Sequence, residues 1–203
     1  MPVAPAYIAH LSKDKKLARV IATHKPFKLK RRKNICLRLC ASIMSQQLSV
    51  KVAEVIYKRF LLLYDGNEPT PEQIIDTNFE TLRAIGLSNA KTRYVQNVAR
   101  FAIDNGMGEK QLAGMSNDEV ITYLTEIKGV GRWTVEMLLM FTLGRQDVFA
   151  PDDLGIQNAM IGLYKLNRDD KKQFREHMLR ISARWAPYRT YACLHLWHWK
   201  DTK

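Results

Sequence analysis

Apolar residues in this chain recur three and four positions apart, and cap residues punctuate them. No segment alternates apolar and polar with the period of two that a half-buried strand requires. Ile35, Leu39 and Ile43, with Cys36, Cys40 and Met44 alongside, form a stripe at spacing four. Ser12 precedes a helical stretch with Leu17, Val20 and Ile21, and Ser49 can cap a helix burying Val52, Val55, Ile56 and Phe60. Thr70-Pro71 reads as an N-cap followed by proline at the first helical position. Thr77-Asn78-Phe79-Glu80 and Ser116-Asn117-Asp118-Glu119 are capping-box patterns. Ser88 opens a long helix through Val95 and Val98 that Gly106 stops. A further helix is expected from Arg132 to Leu143, before Gly144, and others after Asp152, Asp169 and Pro187. Asp65-Gly66 and Asn105-Gly106 follow helical patterns instead of joining strands. The prediction is an all-α chain of roughly ten short helices with tight connections.

Composition narrows the class. The chain has 203 residues, 46% of them hydrophobic and 26% charged, which excludes disorder, collagen and a coiled coil as the overall class. No apolar run approaches the roughly 18 residues a bilayer span needs. Met1-Pro2-Val3-Ala4-Pro5 has no basic region leading into an apolar stretch, so no secretory signal is expected. The expected location is the cytoplasm or nucleoid of a bacterium or the nucleus of a eukaryote. Cys36, Cys40 and Cys193 are too few for a disulfide framework or a four-cysteine zinc or iron–sulfur site. Cys36 and Cys40, one turn apart, are expected to be small core hydrophobes. The 32 Lys and Arg against 20 Asp and Glu leave a net charge of +12. Ten of the basic residues, against Asp14 alone, fall in residues 1–34, most densely at Lys28-Leu29-Lys30-Arg31-Arg32-Lys33. Such charge suits a polyanion, nucleic acid ahead of an anionic membrane; a solvated basic tail is the alternative.

Two segments carry candidate chemistry. Ile127-Lys128-Gly129-Val130-Gly131 joins two expected helices. Two glycines one residue apart permit a tight turn with open backbone, and amides at the next helix start can face a phosphate without a Cβ in the way. Carbonyls on the other side of the turn, those of Ile127 and Gly129, can hold a monovalent cation. A plain helix connector is the alternative. In Asp147-Val148-Phe149-Ala150-Pro151-Asp152-Asp153, one of the two adjacent carboxylates sits where an N-cap is expected, and the other is solvated or stabilises a reacting cation. Trp133, Trp185, Tyr188, Tyr191, Trp197 and Trp199 supply ring faces. Aromatics at helical spacing are usually core, and Trp197 and much of that stripe are expected there; stacking on a flat, basic ligand is the alternative.

Taken in order, Ser45-Gln46-Gln47-Leu48-Ser49, Gly86-Leu87-Ser88-Asn89-Ala90-Lys91-Thr92-Arg93-Tyr94, Ile127-Lys128-Gly129-Val130-Gly131-Arg132-Trp133-Thr134, Asp147-Val148-Phe149-Ala150-Pro151-Asp152-Asp153-Leu154 and Trp185-Ala186-Pro187-Tyr188-Arg189-Thr190-Tyr191-Ala192 resemble the helix–hairpin–helix DNA glycosylase superfamily, in its 3-methyladenine DNA glycosylase II branch. The resemblance spans roughly residues 34–198. It implies one glycosylase domain over 1–203 with two helical lobes and a cleft between them: a central lobe of about 45–143, and another formed by 1–44 and 144–203. It implies that Asp153 is the catalytic aspartate, aimed into the cleft, with Asp152 serving mainly the helix start, and that Gly129, Val130, Gly131 and Arg132 bind the phosphate backbone. Gln46, Gln47 and Ser49 belong to the segment that enters the minor groove, with Gln47 at the wedge position, polar here where some members are apolar. Trp133 and Tyr188 match aromatic positions of the base pocket. Met137 and Leu154 stand at two further pocket positions that are aromatic in some relatives.

The same resemblance implies the reaction: a nucleotide is flipped out of double-stranded DNA and the N-glycosidic bond to an alkylated, cationic purine is hydrolysed. A fixed carboxylate stabilises the oxocarbenium character left on the sugar. Strand-nicking relatives carry a nucleophilic lysine two residues after the second hairpin glycine, where this chain has Trp133. The expected enzyme is therefore monofunctional; without a four-cysteine cluster it is expected to carry no iron–sulfur centre, and a monomer is expected. A non-catalytic DNA-structure-binding protein that kept the hairpin is the competing reading, and a helix-turn-helix regulator a third; base release separates the enzyme from both.

Overall fold

The computed structural model describes residues 5–202. Among them there are thirteen α-helices and no strand. They fall into two compact units, one made of the chain up to Lys30 together with the part from Leu139 on, the other of Arg31–Leu138.

The continuous unit is built around α3 (Ile35–Ser45), whose Ile35, Cys36, Leu37, Leu39, Cys40, Ile43 and Met44 are all buried. A helix apolar on nearly every side belongs in the middle of its bundle. It packs against α4 (Val50–Leu62) and α7 (Asn89–Asp104), and α7 also packs against α5 (Pro71–Asp76) and α6 (Phe79–Ala84). These contacts place α3 in the central unit, so the division falls near residue 30 and not near 44. The second division falls near 138, within α10 (Arg132–Phe141), and not near 143. The remaining helices of this unit are α8 (Glu109–Ala113) and α9 (Asn117–Thr125).

The discontinuous unit contains α1 (Ala6–Leu11), α2 (Lys15–Ile21), α11 (Leu154–Tyr164), α12 (Lys171–Ala183) and α13 (Arg189–Asp201). α13 packs on α11 and α2, and its Ala192, Cys193, His195 and Leu196 are fully buried. Asp14 ties the unit together. It caps α2 by accepting from the amides of Lys16 and Leu17, and its other oxygen accepts from Tyr164 Oη at 2.8 Å and Trp185 Nε1 at 3.2 Å.

The local signals fare unevenly. Ser49, Ser88 and Ser116 cap their helices, and Thr70 and Ser116 close capping boxes with Gln73 and Glu119. Ser12 instead ends α1, a helix the apolar spacing did not reveal, and Asp14 starts α2. Asn78 caps α6, because Thr77 already closes α5. α8 is too short for its pattern to register. Val52 and Val55 are exposed, not buried; α4 covers the core with Ile56 and Phe60 only. Cys36 and Cys40 are core residues. No helix among the described residues is long and apolar enough to cross a membrane.

Candidate active site and nucleic-acid interface

The predicted site residues fall into two groups, one in each unit. In the discontinuous unit, Asp153 is the N-cap of α11. Its Oδ1 accepts from the Ile156 amide at 2.8 Å and from the Trp197 indole Nε1–H at 2.8 Å. Asp152 does not serve the helix start. It forms an exposed ion pair with Arg175 of α12. The carboxylate nearer the helix takes the cap because its oxygen reaches the amide three residues on, the geometry an N-cap uses. Trp197 is correspondingly not a core residue. Its ring is half-buried, its edge donates to Asp153, and its face lies 5.9 Å from the Phe141 ring. Gly155 makes room for this arrangement, since a Cβ there would lie 2.9 Å from Trp197 Cδ1 and 3.0 Å from Asp153 Oδ1.

The loop before Asp153 is bolted to the start of α13. Arg189 donates from Nε to Asp147 Oδ1 at 2.6 Å and from Nη2 to Oδ2 at 2.8 Å, a bidentate pair. Burial would push the Asp147 carboxyl up, but hydrogen bonds from the Arg189 side chain and amide outweigh it and hold it below the usual carboxylate range. Thr190 Oγ1 donates to the Arg145 carbonyl at 2.6 Å and accepts from the Val148 amide at 3.0 Å. Tyr188, half-buried, packs edge-on against His10 and Tyr191. Leu154, the first residue of α11, is 58% exposed.

In the continuous unit, Gly129 has φ +103°, and a Cβ there would sit 2.2 Å from Tyr94 Cγ, so the hairpin lies flat on a ring of α7. Asn97 Nδ2 donates to the Lys128 carbonyl at 3.0 Å, and Val130 N–H donates to the Ile127 carbonyl at 2.9 Å. Nothing lies within 4 Å of a Cβ built on Gly131, so the second glycine faces open space beside the N-terminus of α10. Arg132 turns back along α10, pairing with the buried Glu136 at 2.9 Å and with Asp118 at 3.7 Å. Trp133, 39% exposed, and the half-buried Met137 stand one turn apart on the same helix.

The segment after α3 is a tight turn. Gln46 closes α3 and sends Nε2 toward Thr134 Oγ1 at 3.4 Å. Gln47 is exposed with φ +57°. A non-glycine residue in the left-handed region costs of order 1 kcal/mol, a strain that persists only where surrounding contacts impose it. Ser49 Oγ accepts from Val52 N–H as the cap of α4. Lys91 Nζ donates to the carbonyls of Met44 at 3.0 Å and Gln46 at 2.5 Å, and burial lowers its pKa. Sequence reasoning missed Lys91 and Trp197 as parts of the site. Each acts on a partner more than 40 residues away, and no local pattern carries that information.

These elements define an all-α protein with a glycine hairpin between two helices and a helix-capping, indole-bound aspartate. The chain belongs to the HhH-GPD superfamily of base excision DNA repair proteins, whose match covers residues 40–184. It is 39% identical over 185 residues to the DNA-3-methyladenine glycosylase 1 of Schizosaccharomyces pombe, covering 90% of this chain and 80% of that protein. The fold matches a structure of the fission-yeast 3-methyladenine DNA glycosylase in complex with abasic DNA, with TM-score 0.81, 36% identity and 95% of each chain covered. It also matches a DNA-3-methyladenine glycosidase from Bacillus halodurans, with TM-score 0.85, 35% identity, and 98% and 90% covered.

Proposed function

We propose that this chain is a monofunctional DNA glycosylase that excises alkylated, 3-methyladenine-type cationic purines from double-stranded DNA in base excision repair. The observation that carries the reading is the Asp153 carboxylate held on one oxygen by both the α11 amide and the Trp197 indole. Two donors on one oxygen fix the direction of the charge before the sugar arrives, as electrostatic stabilisation of a developing cation requires. The relatives named above act on 3-methyladenine, and one is bound to abasic DNA, the product of such excision.

The other parts suit the same chemistry. Gly131 leaves space for a backbone phosphate at the helix N-terminus, a contact without sequence information. Gln47, exposed on its strained turn, enters the stack as the base leaves. Trp133 and Met137 in the continuous unit, and Tyr188 and Leu154 in the discontinuous one, are each aromatic or apolar. A cationic purine needs few hydrogen bonds on such faces, and it is already a good leaving group. The carbonyls of Ile127 and Gly129 are hard oxygen donors of the kind a monovalent cation takes. Ile127 O keeps a second lone pair beside its bond from Val130, and a cation there would draw a phosphate to the hairpin. Trp133 offers no amine where a lyase carries its lysine, so water is the nucleophile and the product is an intact strand with an abasic site. The chain acts as a monomer.

The test is release of 3-methyladenine from duplex DNA under single-turnover conditions. Asp153→Asn keeps the cap and the indole acceptor and removes the charge, so turnover should fall by about 10²- to 10³-fold with DNA binding kept. Asp152→Asn should excise at close to the wild-type rate. An Asp153→Asn enzyme as fast as wild type removes the catalytic assignment. Efficient borohydride trapping of wild type on lesion DNA removes the monofunctional one.

A further inference from the structure

One face of α7 touches two segments far apart in sequence. Lys91, Tyr94 and Asn97 follow at spacing three, which places them along one side of the helix. Lys91 holds the carbonyls of Met44 and Gln46 at the end of α3. Tyr94 lies under Gly129, and Asn97 donates to the Lys128 carbonyl. The last carbonyls of a helix have no partner within it, and a cation satisfies them. Here the cation comes from another helix and also reaches past the helix end to the cap residue. The next residue, Gln47, is the one forced to positive φ.

We propose that Lys91 is a positioning residue: its ammonium clamps the Gln46-Gln47 turn in its strained shape, and through α7 sets that turn in register with the Gly129 hairpin. This role rests on the reading of Gln47 as the residue that enters the DNA stack. The turn's own backbone bonds are few, Gln46 N–H to Ile43 O at 3.3 Å and Leu48 N–H to Ser45 O at 3.1 Å. Without the Lys91 bonds, Gln47 relaxes to negative φ and its side chain leaves the direction in which it replaces the flipped base. The loss therefore falls on opening the duplex, not on bond cleavage.

The variants are Lys91→Met, which keeps the stem and removes the donors, and Lys91→Arg, which keeps a cationic donor. Base release is measured on a duplex with the lesion paired and on one with the lesion inside a bubble of mispaired bases, where little stacking must be broken. Lys91→Met is expected to lower release from the paired duplex by about 10²-fold, the scale for a misplacement of about 1 Å, and release from the bubble by clearly less. Lys91→Arg should recover part of the paired-duplex loss. In a Gln47→Ala background, Lys91→Met should add no further loss, because the two act as one unit. Equal losses on the two duplexes, or additive losses, would show a general structural role and overturn the proposal. Should Lys91→Met not fold, the Lys91→Arg and Gln47→Ala pair reads the same coupling.

Hydrogen exchange on the free protein separates this proposal from the glycosylase reading. Faster exchange at the Gln46 and Leu48 amides in Lys91→Met, with α9 unchanged, supports the clamp even if wild type releases no base. Unchanged exchange at both amides overturns it whatever the enzyme's activity.

Discussion

Asp153 caps α11, and the proposed function gives the same side chain a second job, stabilising the developing cation; the two can be separated. Asn is itself a good N-cap, so Asp153→Asn tests charge, whereas Asp153→Ala also removes a cap that contributes about 1 kcal/mol. Trp197 contributes a single donor to that carboxylate. Trp197→Phe keeps the ring and its packing near Phe141 while deleting the N–H. We expect kcat to fall by about 10- to 10²-fold, less than for Asp153→Asn, because the charge remains and only its direction loosens. KM should change little. Gly155→Ala should produce the same kinetic signature by another route, since its methyl would push between Trp197 and Asp153. If either variant instead weakened substrate binding at unchanged kcat, the indole would be a contact to the substrate and not a support for the carboxylate.

The hairpin illustrates the element scale, where two glycines in one turn have different reasons to be small. Gly129 is internal: its φ and the Tyr94 ring beneath it both exclude a side chain. Gly131 is external, with open space where a Cβ would go. Gly129→Ala should therefore lower the melting temperature by several degrees, the scale of a destabilisation of roughly 1–3 kcal/mol at a strained backbone position in a domain this size. Gly131→Ala should melt with wild type yet bind damaged and undamaged duplex more weakly, and Gly131→Asp more weakly still, because a carboxylate then faces phosphate. Equal affinities of Gly131→Asp and wild type for both DNAs, by fluorescence anisotropy, would return the hairpin to a plain connector.

At the scale of the whole molecule, pH acts on a buried histidine. His195 is fully buried in α13, stacked near His24, whose ring also stacks on His198. Burial first, then the neighbouring His24 and His198, push its pKa down to about 4. An unfolded chain takes up that proton near pH 6.5. The folded state therefore keeps its full stability above about pH 6.5 and loses it as pH falls toward 4, by up to about 1.4 kcal/mol per pH unit for one proton. The melting temperature should drop between pH 7 and 4.5, and a folded His195→Gln variant should drop less. Parallel slopes would assign the acid sensitivity to other groups; Asp147, held below the usual carboxylate range in the folded protein, loses stability only as pH falls through the unfolded Asp value of about 3.9 and below it. The net charge of +12 adds a second dependence, with DNA affinity falling steeply as salt rises.

The sequence by itself determined the helices and their starts wherever the cap lay beside the apolar run it opened, as at Ser49, Ser88 and Ser116. It also determined the order of motifs that places Asp153 and the hairpin in one family, because those signals are carried by neighbours in the chain. It did not determine which carboxylate of the Asp152-Asp153 pair caps α11, since either type suits the position and only the path of the backbone into the helix chooses. Nor did it determine that Trp197 leaves the core to hold Asp153, that α3 belongs with the central unit, or that Val52 and Val55 stay exposed. Each of those follows from which helix packs against which, a matter of contacts between residues tens of positions apart. Lys91 is the plainest case. It lies within the Gly86–Tyr94 segment of the family resemblance, but nothing in the sequence gives it a role, and only tertiary packing sets its ammonium against the two carbonyls that end α3.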